Sequence, residues 1–210
     1  MRGGCLLVAF VASVSSHTAA AQPLPLGDGK IAAAPRAGHI FSCMTRFMGG
    51  GASRDGPWIR GDRWDPAAKP IVGGAVTWPN AQLVIALDGD RRIVRANNLP
   101  SHPTGVFPIR PSESAYQYDR NPNAIAAQTI LLTLPADPQP AAAPGCLPMG
   151  MIGFALSGAA IFNALDAQGR DAPAHEIQDR CNGHPEHAGQ YHYHDQIGRA
   201  SCRERVYVLV

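Results

Sequence analysis

Glycine and proline constrain this chain more than any other feature. There are 22 Gly and 19 Pro among 210 residues, spaced so that no long stretch repeats apolar residues at helical intervals. Glycine costs entropy inside a helix and proline breaks the helical hydrogen-bond ladder, so long helices are excluded. What survives between the turn residues are short apolar runs of strand type. AQLVIALDGDRRIVRANNLP (81–100) reads as two strands around Asp88-Gly89, a favoured tight turn. AVTWP (75–79) and TILLTLP (129–135) read as further strands, and MIGFALSGAAIFNALD (151–166) as a second hairpin turning at Ser157-Gly158. The expected fold is mainly β: antiparallel sheets in a sandwich-like arrangement, long loops, and one short helix near 173–181. PADPQPAAAP (135–144) is a proline-rich connector, read as a surface loop within one domain rather than a linker between two.

The two ends carry information of another kind. MRGGCLLVAFVASVSSHTAAAQ combines a basic start, a short apolar run and small residues at Ala19–Ala21. This pattern is that of a secretory signal peptide, residues 1–21, cut after Ala21. No later segment reaches the roughly 18 apolar residues of a membrane-spanning helix. The expected product is secreted or periplasmic, with a flexible N-terminal segment at 22–36 before a domain at 37–196. At the other end, IGRASCRERV (197–206) matches residue for residue the translation of a short-read sequencing adapter. Residues 197–210 are therefore expected to be a non-native tail, and the natural domain to be incomplete.

Excluding both ends changes the charge. Of 18 Lys and Arg, Arg2, Arg199, Arg203 and Arg205 leave, giving 14; of 16 Asp and Glu, Glu204 leaves, giving 15. The formal charge moves from +2 to −1. That balance gives no electrostatic case for nucleic acid or an anionic membrane as partner. Cys43, Cys146 and Cys181 remain, and an exported protein should oxidise them where geometry permits. Their pairing is open, and an odd number points to one partner elsewhere.

Five of the eight histidines fall between residues 175 and 194. PAHEIQDRC is expected to form a short helix on which His175, Glu176 and Asp179 share a face. Gly183-His184-Pro185 is read as a turn. Tyr191-His192-Tyr193-His194, if extended, puts both histidines on one face and both tyrosines on the other. Two imidazoles facing a third assemble a metal site from local sequence. Nitrogen ligands suit copper, zinc, nickel or iron. The candidate ligands are His184, His192, His194 and His175, with copper or zinc as the expected ion and no organic cofactor. Glu176 and Asp179 are the candidate bases should the metal activate water. His187 reads as solvated, and His39 and His102 as structural. His175-Glu176 starts an H-E-x-x-H zinc peptidase pattern, but its fifth position is Asp179. There is no G-x-S-x-G and no phosphate-binding glycine loop.

D-R-C-N-G-H-P followed by G-x-Y-H-Y-H resembles the signature of the YHYH domain proteins, a family of exported, mostly bacterial proteins. GGGASRDGPWI (49–59), AKPIVGGAVTWP (68–79), LPSHPTGVFPI (99–109), YQYDRNPNAI (116–125) and residues 147–181 are also similar to family sequence. The resemblance implies an exported location and a natural chain that continues past this point. That continuation would hold a cysteine suited to pair with one left over here. It does not imply a reaction. Three functions are thus in play: a metal-binding β-domain, a metal-dependent hydrolase using Glu176 or Asp179, and a metal-free extracellular interaction module.

Overall fold

A computed structural model describes residues 22–194 and 206–208. The expected signal peptide lies outside the described residues, as does the expected tail apart from its strand at 206–208. The chain is mainly β. Its strands are β1 (Leu24–Pro25), β2 (Ile31–Ala32), β3 (Ile40–Phe41), β4 (Ile59–Arg60), β5 (Arg63–Trp64), β6 (Leu83–Asp88), β7 (Arg91–Ala96), β8 (Ile130–Pro135), β9 (Met151–Ala155), β10 (Ala160–Phe162), β11 (Gly183–Pro185), β12 (Tyr191–Tyr193) and β13 (Val206–Val208). Between β10 and β11 lies one short helix, α1 (Ala172–His175).

Among the described residues these strands form four small sheets, ordered β1-β5-β4, β2-β3, β6-β7-β8 and β11-β12-β10-β9-β13. Most pairs are antiparallel, as expected. The exceptions are β2 with β3 and β10 with β12, which run parallel. Both hairpins form. In the first, Asp88 pairs with Arg91, so the corner residues are Gly89 and Asp90, one position later than expected, with Gly89 at φ +59°. The β6-β7-β8 ribbon contains TILLTLP as its third strand. AVTWP does not become a strand. Its one bridge joins Val76 to Thr104, and the turn at Pro79-Asn80, closed by the Ala81 N–H on the Trp78 carbonyl, ends the pairing.

Within residues 22–36, the first stretch packs on the rest of the chain. Leu26 is buried, β1 pairs with β5, and the Gly27 N–H donates to Asp171 Oδ2 at 2.7 Å. Leu26 packs in a core with Trp58, Trp64, Val72, Ile109, Ala115, Ala174 and Ile177. The Trp58 indole N–H is satisfied by the Ala174 carbonyl at 2.8 Å, which docks α1 onto this core. A second core holds Ala155, Ala159, Ile161, Cys181, Tyr191 and Tyr193 under the five-stranded sheet. Cys43 and Cys146 form a disulfide that joins the front and back halves, and Cys181 is disulfide-bonded as well. No helix among the described residues is long and apolar enough to cross a membrane.

Candidate metal centre

The histidine segment folds as a hairpin. Gly183–Pro185 is a strand rather than a turn, because Tyr191–Tyr193 offers it an antiparallel partner in register, with His184 opposite His192. Gly183 is required there: a Cβ would lie 2.2 Å from the Tyr191 ring and hydroxyl. On its other edge β12 pairs in parallel with β10, Ala160 opposite His192 and Ile161 opposite Tyr193. β12 is therefore a central strand, and the expected alternation holds. Tyr191 turns to the core, where its hydroxyl donates to both Asp179 oxygens at 3.0 and 2.9 Å. The Tyr193 hydroxyl donates to His102 Nε2 at 2.5 Å, while His102 Nδ1 donates to the Pro103 carbonyl.

The opposite face carries the site. His184, His192 and His194 are all buried, and one nitrogen from each lies within 4.8 Å of the other two. His192 Nδ1 donates to the Gln190 carbonyl at 3.0 Å and His194 Nδ1 to the Asn163 carbonyl at 2.6 Å. These bonds place the proton on Nδ1, so a neutral ring at either position presents a bare Nε2 lone pair. The two Nε2 atoms face each other at 2.9 Å. Both ring nitrogens of His184 are buried without a hydrogen bond, and so is Glu176 Oε2. That oxygen lies 3.4 Å from His184 Nε2 and 3.3 Å from His194 Nε2. Tetrahedral ligands about 2.0–2.1 Å from zinc would stand about 3.3 Å apart. The His192–His194 separation of 2.9 Å is near that spacing, and all three histidine nitrogens lie within 4.8 Å of one another.

Electrostatics point the same way. Burial, reinforced by His192, His194 and Lys69, lowers the His184 pKa well below the usual histidine value. Burial and His194 lower that of His192. Neutral imidazoles are the ligand form. The His192 ring is held further by Phe162, stacked on it at 3.9 Å between centroids.

The other candidates are placed elsewhere. The expected helix forms but stops at His175, because tertiary bonds capture the chain beyond it. Lys69 Nζ takes the carbonyls of Pro173 and Glu176 and the side chain of Gln178. Asp119 Oδ2 accepts the Ile177 N–H at 2.9 Å, and the Val72 N–H bonds the Gln178 carbonyl at 2.9 Å. Extended from Glu176 onward, the segment sends His175, Glu176 and Asp179 to three different places. His175 does not join the other histidines: its Nε2 lies 2.9 Å from Asp28 Oδ2 and its Nδ1 3.0 Å from Asp55 Oδ1. Asp179 is structural. It accepts the N–H groups of Gly105, Cys181 and Gly183 as well as the Tyr191 hydroxyl, and burial raises its pKa. Only Glu176 reaches the centre. His187 is exposed beside Glu186, as expected of a solvated residue, and the His39 ring bonds the Ala37 carbonyl two residues back.

The centre forms the floor of a cleft of about 550 Å³, whose walls include Gly49–Gly51, Met149 and Phe162. Sequence reasoning assigned the glycine run no role, although three consecutive glycines are a signal of backbone that must stay bare. It also missed the Asn163 and Gln190 carbonyls, which act through the backbone and leave no mark in residue type. In comparisons with protein-family models, curated proteins and solved structures, nothing matches this chain.

Proposed function

We propose that this is an exported protein of the YHYH type that binds a transition metal, copper or zinc, through His184, His192 and His194. The observation that carries the reading is the convergence of three buried imidazoles: the Nε2 atoms of His192 and His194 face each other at 2.9 Å, and the ring nitrogens of His184 and Glu176 Oε2 are buried beside them without a hydrogen bond. Buried polar atoms without a hydrogen bond are costly, and a cation held by the three histidines would relieve that cost at His184 while meeting the facing Nε2 atoms of His192 and His194. The donor set is three imidazoles and no thiolate, with Glu176 Oε2 beside them, which suits zinc or copper(II). The signal-peptide pattern and the oxidised Cys43–Cys146 pair support export. A second reading, a metal-dependent hydrolase, is favoured by one feature: Glu176 stands beside the three histidines on the floor of a cleft.

The test is elemental analysis of protein purified from the periplasm without a histidine tag, beside a His192→Ala/His194→Ala variant. One copper or zinc per chain, absent from the folded variant, supports the reading. No metal in the parent protein, even after reconstitution at neutral pH, sinks it and leaves the metal-free interaction module.

A further inference from the structure

Resting on that metal centre, we propose that the site is open. Three histidines hold the ion, the fourth position faces the Gly49–Gly51 cleft and takes water or a small exogenous donor, and Glu176 accepts a hydrogen bond from that ligand. Gly51 is the positioning residue that gives Glu176 its place.

The cleft is the first support. Glu176 and all three histidines line the same cavity as the glycine run. The glycine wall is the second. Gly49, Gly50 and Gly51 all take positive φ, at 90°, 115° and 74°. A Cβ on Gly51 would lie 2.9 Å from Glu176 Oε1 and 3.4 Å from Asp166 Oδ2. A side chain there would drive the carboxylate from its position beside His184 and His194. The wall is also pinned. Gln168 Nε2 donates to the carbonyls of Gly50 and Ala52, the Gly49 N–H bonds the Ala167 carbonyl, and Arg170 holds both Ala52 and Asp166. Bare backbone fixed against a turn keeps room beside Glu176 and does not collapse into it.

The experiment uses the full chain loaded with cobalt(II), titrated with azide and followed by its visible spectrum, with metal per chain measured alongside. The expected result is a saturable band shift at constant metal content. Glu176→Gln should keep one metal per chain and bind azide several-fold more tightly, since an anion no longer meets a carboxylate. Gly51→Ala should move azide affinity toward the Glu176→Gln value. Metal-loaded protein that gives no azide response has a closed centre and overturns the proposal, as does a Glu176→Gln variant that folds but loses its metal. Protein that takes up no cobalt at all overturns the metal reading beneath it, a distinguishable failure.

Discussion

Replacing Tyr191 by phenylalanine should destabilise the fold while leaving the metal centre intact. The ring is fully buried, and its hydroxyl donates to both oxygens of Asp179 at 3.0 and 2.9 Å. Deleting one oxygen leaves no cavity of consequence. Nor does it orphan a backbone donor: Gly105, Cys181 and Gly183 keep their bonds to the carboxylate. What is lost is one hydrogen bond to a charged group, worth about 1.5–3 kcal/mol. For a domain of this size that lowers Tm by roughly 3–12 °C. The deficit depends on pH. Burial raises the Asp179 pKa and the Tyr191 bond counteracts part of the rise, so the variant's folded-state pKa is higher still. The folded variant then binds a proton more readily than the unfolded chain. Its deficit is full at neutral pH and shrinks as pH falls through the raised value. The assay is thermal unfolding by circular dichroism, with metal per chain measured on the same samples. The Tyr191 hydroxyl lies on the face of β12 away from the histidines, so metal content should not change. An unchanged Tm, or a folded variant without metal, would refute the separation of the two faces.

Three further outcomes follow from the same geometry. Because burial holds His184 and His192 below the usual histidine range, metal affinity should persist to lower pH than an exposed histidine pair, with its pKa of about 6.5, would allow. The same shift means that metal-free protein loses stability as pH falls from about 6.5 toward the lower folded values, since the unfolded chain takes up those protons first; affinity that collapses at 6.5 would contradict the buried, neutral assignment. Exchanging Cys43 and Cys146 together for serine opens a link across a sequence separation of 103 residues and should cost about 4–5 kcal/mol in denaturant unfolding; equal stability would mean that the two halves hold together without it. Gly183→Ala places a Cβ 2.2 Å from the Tyr191 ring, so it should cost about 1–3 kcal/mol or more and also weaken metal binding by shifting His184 against His192, as read by Tm and a metal titration.

The features legible in the sequence are those with a short period. Alternation over Tyr191–His194 set which face each side chain takes, and the two hairpins followed from apolar runs flanking Asp88–Asp90 and Leu156–Gly158. The failures have one physical cause, bonds between residues far apart in the chain. His175, Glu176 and Asp179 have helical spacing, but Lys69 and Asp119 lie more than fifty residues upstream and capture the backbone beyond α1. Gly183–Pro185 has turn composition, yet the partner strand in register makes it β11. Asp28 is invisible as the companion of His175 until β1 packs beside β5. The ligand trio was legible because it is local. The fourth member needed the tertiary fold.

The register of β12 decides whether a centre exists at all. Side chains alternate with a period of two, so a slip of one residue would turn the tyrosines into the cleft and the histidines onto Asp179 and Cys181. The chain guards that register on both edges. β11 pairs His184 with His192, β10 pairs Ala160 with His192, and the Asn98 side chain clasps the two central strands by donating to the Tyr191 carbonyl and accepting from the Ala160 N–H. Placing one ligand on a central strand, a second just past its end and a third on its hydrogen-bonded neighbour makes the trio a property of the sheet, present before any ion arrives. Glu176 is different. It comes from a segment held by Lys69 and Asp119 and touches the trio only through its carboxylate. An ion at the centre would therefore add little to the sheet's own order. Its effect on the fold would fall on the join between the sheet and the segment after α1, which is where protection from hydrogen exchange should increase on metal binding.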